Sequence, residues 1–143
     1  MADIIKISDA TALALHSLIY LASRKEGQST TAEIAEVFDA SRHHLAKVHQ
    51  RLSSAGFIFS QRGPMGGVGL SRDPAQTTLL EVYEAMEGPL ERFPCLFNRE
   101  VCVHDNCVLS GLLPDLTRQV RDYFKQTTLA QLADKSTWET DRK

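Results

Sequence analysis

The chain has 143 residues, of which 43% are hydrophobic and 24% charged, and its formal net charge is −2. That length fits one compact domain, or a small domain carrying a helical arm, and the balance excludes a disordered, collagen-like or low-complexity chain. Apolar stretches such as residues 13–22 fall well short of the roughly 20 residues that span a bilayer, and the first residues lack a basic and apolar secretion signal, so a cytoplasmic protein without a membrane partner is expected. The three cysteines would leave one unpaired in a secreted protein. In a reducing compartment they point to metal or redox chemistry.

Charge is distributed unevenly. Residues 1–39 hold three basic and six acidic side chains, and residues 73–143 hold eight basic and twelve acidic ones. Between them, residues 40–72 hold Arg42, Lys47, Arg51, Arg62 and Arg72 with no Asp or Glu. An acid-free block inside an acidic chain suits a polyanion-binding surface, against the plainer reading of chance clustering on a solvated face.

Residues 8–24 carry Leu13, Leu18, Leu21 and Ala22 at helical spacing, with Ser8 or Asp9 placed to cap the helix. Lys25-Glu26-Gly27-Gln28-Ser29 reads as a loop. Thr30-Thr31-Ala32-Glu33 is a capping box that opens a short helix with Ile34, Ala35 and Val37 inward. After a tight turn at Asp39-Ala40, Ser41 can cap a third helix with Leu45, Val48 and Leu52 in one stripe and Gly56 at its stop. Two short helices joined by such a turn form a helix-turn-helix. Residues 57–61 and 68–72 read as paired strands around the glycine-rich tip Arg62-Gly63-Pro64-Met65-Gly66-Gly67. A helix-turn-helix followed by a β-hairpin is a winged helix.

Residues 78–87 read as a fourth helix with Leu79, Val82, Tyr83 and Met86 on its apolar face, ended by Gly88-Pro89. Leu109, Leu113, Leu116, Val120 and Tyr123 then recur as a coiled-coil-like stripe, with Pro114 inside it to start or kink the helix. The stripe asks for a partner helix, most simply from a second copy of the chain, or for ordinary packing against the first helix. The expected class is mainly α with a small β-hairpin wing: a winged helix-turn-helix plus a long C-terminal dimerisation helix. The expected divisions are a DNA-binding domain at 1–88, a cysteine-containing loop at 89–110, the dimerisation helix at 111–134 and a frayed tail at 135–143.

With Leu45, Val48 and Leu52 inward, His43, Lys47, Gln50 and Ser54 lie opposite the core, and His44, Ala46 and Arg51 flank them. Such cationic and hydrogen-bonding groups reach base edges and phosphates in a major groove. Ser41 and Arg42 stand at the helix N-terminus, where backbone N–H groups favour phosphate. At the wing, Arg62 suits a narrow minor groove, and Gly63, Gly66 and Gly67 allow close backbone approach. These residues are the candidate DNA contacts; His49, near the buried stripe, reads as a packing residue.

Cys95, Cys102 and Cys107 have six and four residues between them. Thiolates are soft ligands suited to zinc or to an iron–sulfur cluster, and three leave a fourth position open. His104 can fill it for zinc, or Asp9 for a cluster. Buried inert thiols, or a disulfide with one spare, are the alternatives.

The chain resembles the IscR/NsrR-type (Rrf-two) family of bacterial winged-helix regulators over nearly its whole length. The resemblance rests on Lys6-Ile7-Ser8-Asp9, the helix from Ser41 to Leu52, Ala55-Gly56-Phe57-Ile58, the Arg62-Gly63-Pro64-Met65-Gly66-Gly67 wing, Glu87-Gly88-Pro89-Leu90, the three cysteines and residues 128–134. It implies a homodimer on a palindromic double-stranded operator, and a cluster held by Cys95, Cys102 and Cys107. In some members an Asp matching Asp9 reaches across from the other subunit; in others a His three residues after the last cysteine is the fourth ligand. Ser110 occupies that later position here, which favours Asp9 and, with it, a four-iron over a two-iron cluster. Val68 stands where the family's wing usually has an aromatic, and Ala46 where iron–sulfur members often carry Glu. The implied function is a transcriptional repressor sensing nitric oxide, redox state or iron–sulfur status. Zinc or a thiol switch in the same loop is the alternative. A small metal-dependent enzyme or a protein-interaction module is a more distant one, since there is no activated nucleophile with its base, no phosphate loop and no His-Glu pair at metalloprotease spacing.

Overall fold

The computed structural model describes residues 5–64, 66–90, 108–109 and 111–135. Helix α1 (Asp9–Ser23) begins at Ser8, whose hydroxyl accepts from the Thr11 N–H. Strand β1 (Gln28–Ser29) leads into α2 (Thr31–Val37), where the Thr30–Glu33 capping box is made in both directions. Asp39, with a left-handed φ of 50°, turns the chain into α3 (Arg42–Ser54), capped by Ser41. Strands β2 (Ile58–Gln61) and β3 (Gly67–Leu70) follow as an antiparallel hairpin. Helix α4 (Leu79–Glu87) has its own Thr78–Glu81 capping box. Helices α5 (Leu112–Gln126) and α6 (Leu129–Ala133) complete the described chain.

The winged helix-turn-helix is present, and the wing has three strands rather than two. Its order is β1-β3-β2, with Gln28 opposite Gly69 and Ser29 opposite Val68. Residues 28–29, which read as loop, are therefore a strand. A two-residue strand has too few positions to show a period in the sequence; its partner β3 supplies what local pattern cannot.

The core gathers on α1, whose Thr11, Ala14, Ser17, Leu18, Ile19, Tyr20 and Leu21 are all buried. Leu45, Val48 and Leu52 of α3 turn inward as a stripe, and Ile34 and Ala35 of α2 join them. His49 is also buried, at 3% exposure. Its Nδ1 lies 3.1 Å from the Thr31 hydroxyl and its Nε2 lies 3.2 Å from the Ser17 hydroxyl. A neutral imidazole offers one donor and one acceptor and so satisfies both, joining α1, α2 and α3 at one point. Burial pushes its pKa down to about 4.

The segment 111–134, expected as a single helix, is two. Thr127 is extended, and Thr128 caps α6 in a capping box with Gln131. The Leu79 N–H donates to the Thr127 carbonyl and the Leu129 N–H to the Thr77 carbonyl, a small bridge between the starts of α4 and α6. Through it, Leu129 enters the core at 1% exposure and α6 packs on α1. The Thr-x-x-Gln signal was in the sequence, but no Gly or Pro separates it from the helix before it. Pro114 sits in the first turn of α5, where a missing N–H costs nothing, so it begins the helix rather than kinking it.

Helix α5 packs on α4, not along α1: Tyr83 and Phe124 rings meet at 5.6 Å, and the Arg121 guanidinium reaches Glu84 and the Leu90 carbonyl. Of the stripe, Leu113 is buried, Leu109, Leu116 and Val120 are half-buried, and Tyr123 is 56% exposed; Leu112 beside it is 48% exposed.

Leu129→Ala should cost about 2–4 kcal/mol of stability, the range for emptying a fully buried leucine site, read as a lower urea midpoint. His49 gives a pH signature. Its folded pKa lies below its ordinary value of 6.5, so its stabilising share is complete above that pH and is lost as pH falls towards 4. Between about pH 7 and pH 5 that loss should reach roughly 2 kcal/mol, and His49→Gln should flatten the dependence in urea titrations.

Candidate nucleic-acid interface

Turning Leu45, Val48, His49 and Leu52 into the core leaves the opposite face of α3 to solvent. His43, His44, Ala46, Lys47, Gln50, Arg51, Ser53 and Ser54 are all exposed there, as are Ser41 and Arg42 at the N-terminal end. The Ser41 hydroxyl accepts from the His44 N–H and keeps its own proton for another partner.

The five cations of residues 40–72 divide into two groups. Arg72 is a structural residue: its guanidinium lies 4.2 Å over the Phe57 ring and donates to the Ala55 and Gly56 carbonyls. Arg51, expected as a DNA contact, donates to the Met86 carbonyl at 2.7 Å and so ties α3 to the end of α4. Arg42, Lys47 and Arg62 are exposed, on α3 and at the wing.

At the wing tip, Arg62 and Gly63 are exposed, and the Gly66 N–H donates to the Gly63 carbonyl at 2.9 Å. A Cβ on Gly66 would stand 2.3 Å from the Gln61 carbonyl oxygen, and one on Gly67 would stand 2.5 Å from that of Ser29. Both glycines are thus required by contacts inside the protein. The expectation that they serve close approach to a ligand is not needed to explain them.

Between α3 and the wing lies a cleft of about 310 Å³ lined by Thr31, Ala46, His49, Gln50, Ser53, Ser54, Ser60 and Val68. Thr31, Ser53 and Ser60 were not among the residues singled out from the sequence. Isolated serines carry no periodic signal, and only folding brings the strand against the helix.

Asp9 is the first residue of α1 and is exposed. Beside it, Ser8 donates its N–H to Glu87 at 2.8 Å, and the Thr11 hydroxyl donates to the same oxygen at 2.6 Å. Burial raises the Glu87 pKa, but the hydrogen bonds from Ser8 and Thr11 and the charge of Lys6 prevail and hold it below the usual carboxylate value. The start of α1 is thereby strapped to the end of α4, where the cysteine-containing segment begins. Cys95, Cys102, Cys107 and His104 lie outside the described residues, and among the described residues no group of three His, Cys, Asp or Glu is placed to hold a metal ion. By chemistry the donor set suits an iron–sulfur cluster: three soft thiolates from one segment, with one carboxylate at an exposed helix start. No helix among the described residues is long and apolar enough to cross a membrane.

Comparison with known proteins agrees with this architecture. The profile of the Rrf2 family, described as iron-dependent transcriptional regulators, matches residues 7–135. A protein of Aquifex aeolicus assigned as an HTH-type transcriptional regulator is 34% identical over 128 residues, covering 87% of this chain and 89% of its own length. CymR, the global cysteine regulator of B. subtilis, superposes with a TM-score of 0.78 at 28% identity, over 93% of this chain and 99% of its own. The oxidised form of Staphylococcus aureus CymR gives a TM-score of 0.70 at 26% identity, over 93% and 99%. T. potens IscR shares the fold, with a TM-score of 0.68 at 21% identity over 92% and 89%. The chain belongs to the Rrf2 family of transcriptional regulators.

Proposed function

We propose that this chain is a homodimeric cytoplasmic repressor that binds a palindromic operator and whose affinity for it is set by an iron–sulfur cluster. The observation that carries the DNA-binding part is the exposed, acid-free face of α3 set beside a wing bearing Arg62. In this reading His43, His44, Lys47, Gln50 and Ser54 meet the major groove, and Ser41 and Arg42 meet phosphate at its edge. Arg62 enters the neighbouring minor groove. The half-exposed stripe of α5 joins the two copies, so that two α3 helices reach successive major grooves.

Cys95, Cys102 and Cys107, with Asp9 as fourth ligand, hold the cluster, of four-iron type. When bound, it supplies a redox-active, nitric-oxide-reactive and iron-dependent centre. Asp9 then ties the start of α1, which supports α3, to the cysteine segment. Ser8 and Glu87 hold that helix start in position for it. A preference of about 1–3 kcal/mol for one dimer geometry changes operator occupancy several-fold or more.

A second reading puts zinc or a thiol switch in the same segment. It is favoured by the closer likeness to CymR, one of whose solved forms is an oxidised one, than to IscR.

An ultraviolet–visible spectrum with iron, sulfide and zinc analysis, on protein purified without oxygen, separates the two readings. Visible charge-transfer bands with iron and sulfide are expected, and they should be absent from Cys102→Ala, which stays folded but loses its response to nitric oxide or oxygen. A colourless protein with one zinc per chain moves the sensor to the second reading. With Arg42, Lys47 and Arg62 on each of two chains, log affinity should fall with log salt at a slope of roughly −5. Arg62→Ala should reduce that slope by about 2.

A further inference from the structure

The cleft between α3 and the wing has a definite place in any complex that uses both. In a duplex, a major groove and the minor groove beside it are separated by a single sugar–phosphate strand. If α3 occupies the one and Arg62 the other, that strand must pass between them, over the residues that line the cleft. We propose that the cleft is the seat of this strand, held by the neutral hydroxyl groups of Ser53 and Ser60. The inference rests on the DNA-binding reading above and adds to it the contact that sets register.

The chemistry of the walls fits a phosphodiester. Gln50, Ser53 and Ser54 form one wall and Ser60 of β2 the other, and all four are exposed. Among the described residues none of their side chains is engaged in a hydrogen bond, so each hydroxyl has its proton to donate to a phosphate oxygen. Thr31 belongs to the floor but is already committed to His49 at 3.1 Å. His49 itself is neutral and buried, so the floor is fixed and uncharged. No carboxylate lines the cleft. The nearest acid in sequence to Thr31, Glu33, is folded back onto the Ser29 hydroxyl and the Thr30 N–H.

The flanks carry the charge that the cleft lacks. Lys47 lies one turn before Gln50 and two turns before Ser54 on the same helix face. Arg62 lies two residues beyond Ser60, just past the end of β2, and is exposed. A polyanion drawn in by Lys47 and Arg62 is thus delivered to a notch of neutral donors. The volume, about 310 Å³, is some ten times the share of a water molecule and takes a phosphate with part of its sugars. Ala46, exposed on α3, offers a small apolar surface to the deoxyribose.

Neutral donors leave a signature that cations do not. Breaking a hydroxyl–phosphate bond weakens binding equally at every salt concentration, because no counterion is involved. The test uses the full chain and a mixed-sequence duplex of about 30 base pairs, long enough for two half-sites, with fluorescence anisotropy over a salt series. The double variant Ser53→Ala/Ser60→Ala removes two donors per chain and four per dimer. It should bind roughly tenfold or more weakly with an unchanged salt slope. Ser53→Thr/Ser60→Thr keeps the hydroxyls and should recover most of the affinity. Wild-type affinity in the alanine variant, alongside a lowered slope in Arg62→Ala, would overturn the cleft as a strand seat while leaving DNA binding intact. An equal loss in the threonine variant would also overturn it, since the hydroxyls would then not be the reason. Absence of duplex binding by the wild-type chain itself overturns the underlying reading and the cleft with it.

Discussion

The rest of the molecule depends on the burial of three residues of α3 against α1. Leu45, Val48 and Leu52 are at 0%, 1% and 0% exposure, and they fix the rotation of the helix about its own axis. Non-directional apolar contact alone would permit small rotations. The hydrogen bonds of His49 to Ser17 and Thr31 add direction, since an imidazole satisfied at both nitrogens tolerates little movement. Arg51 adds a third restraint through the Met86 carbonyl. A helix held in this way presents a defined face, and that definition is what a groove reader requires.

The division of the cations gives the surface its logic. Arg72 and Arg51 are spent on carbonyls and an aromatic ring, where their fixed guanidinium geometry orders the base of the wing and the end of α4. The cations left exposed lie on α3 and at the wing tip, either side of a cleft whose lining is uncharged. Arg72 and Arg51 keep their charge, but part of their hydrogen-bonding capacity is already engaged within the protein.

Local chemistry made much of this legible in the sequence. Thr30 and Glu33 satisfy each other's backbone groups within four residues, and that helix starts where the pair puts it. The inward stripe of α3 and the apolar face of α4 follow from helical period alone. What was hidden depends on distant partners. Strand β1 exists because β3 lies beside it, and α6 departs from α5 because Thr78 and Thr128 form a bridge across fifty residues of sequence. The roles of Arg51 and Arg72 turn on which carbonyls folding places within reach. The serines of the cleft become a group only when β2 is laid against α3. The cysteines were visible by their type, and their meaning rests on chemistry and on family likeness.

The return of α6 to α1 has a consequence for how the protein is made. Helix α1 emerges from the ribosome well before α6, yet one of its buried faces is covered by α6, about a hundred residues later in the chain. Until then the scaffold that holds α3 is incomplete, and its apolar surface is open to solvent or to holding partners in the cell. The long-range closure between α1 and α6 delays maturation of the domain until α5, which precedes α6, is already out. A nascent chain therefore completes the packing around α1 only once the segment proposed to pair it with a second copy is also available.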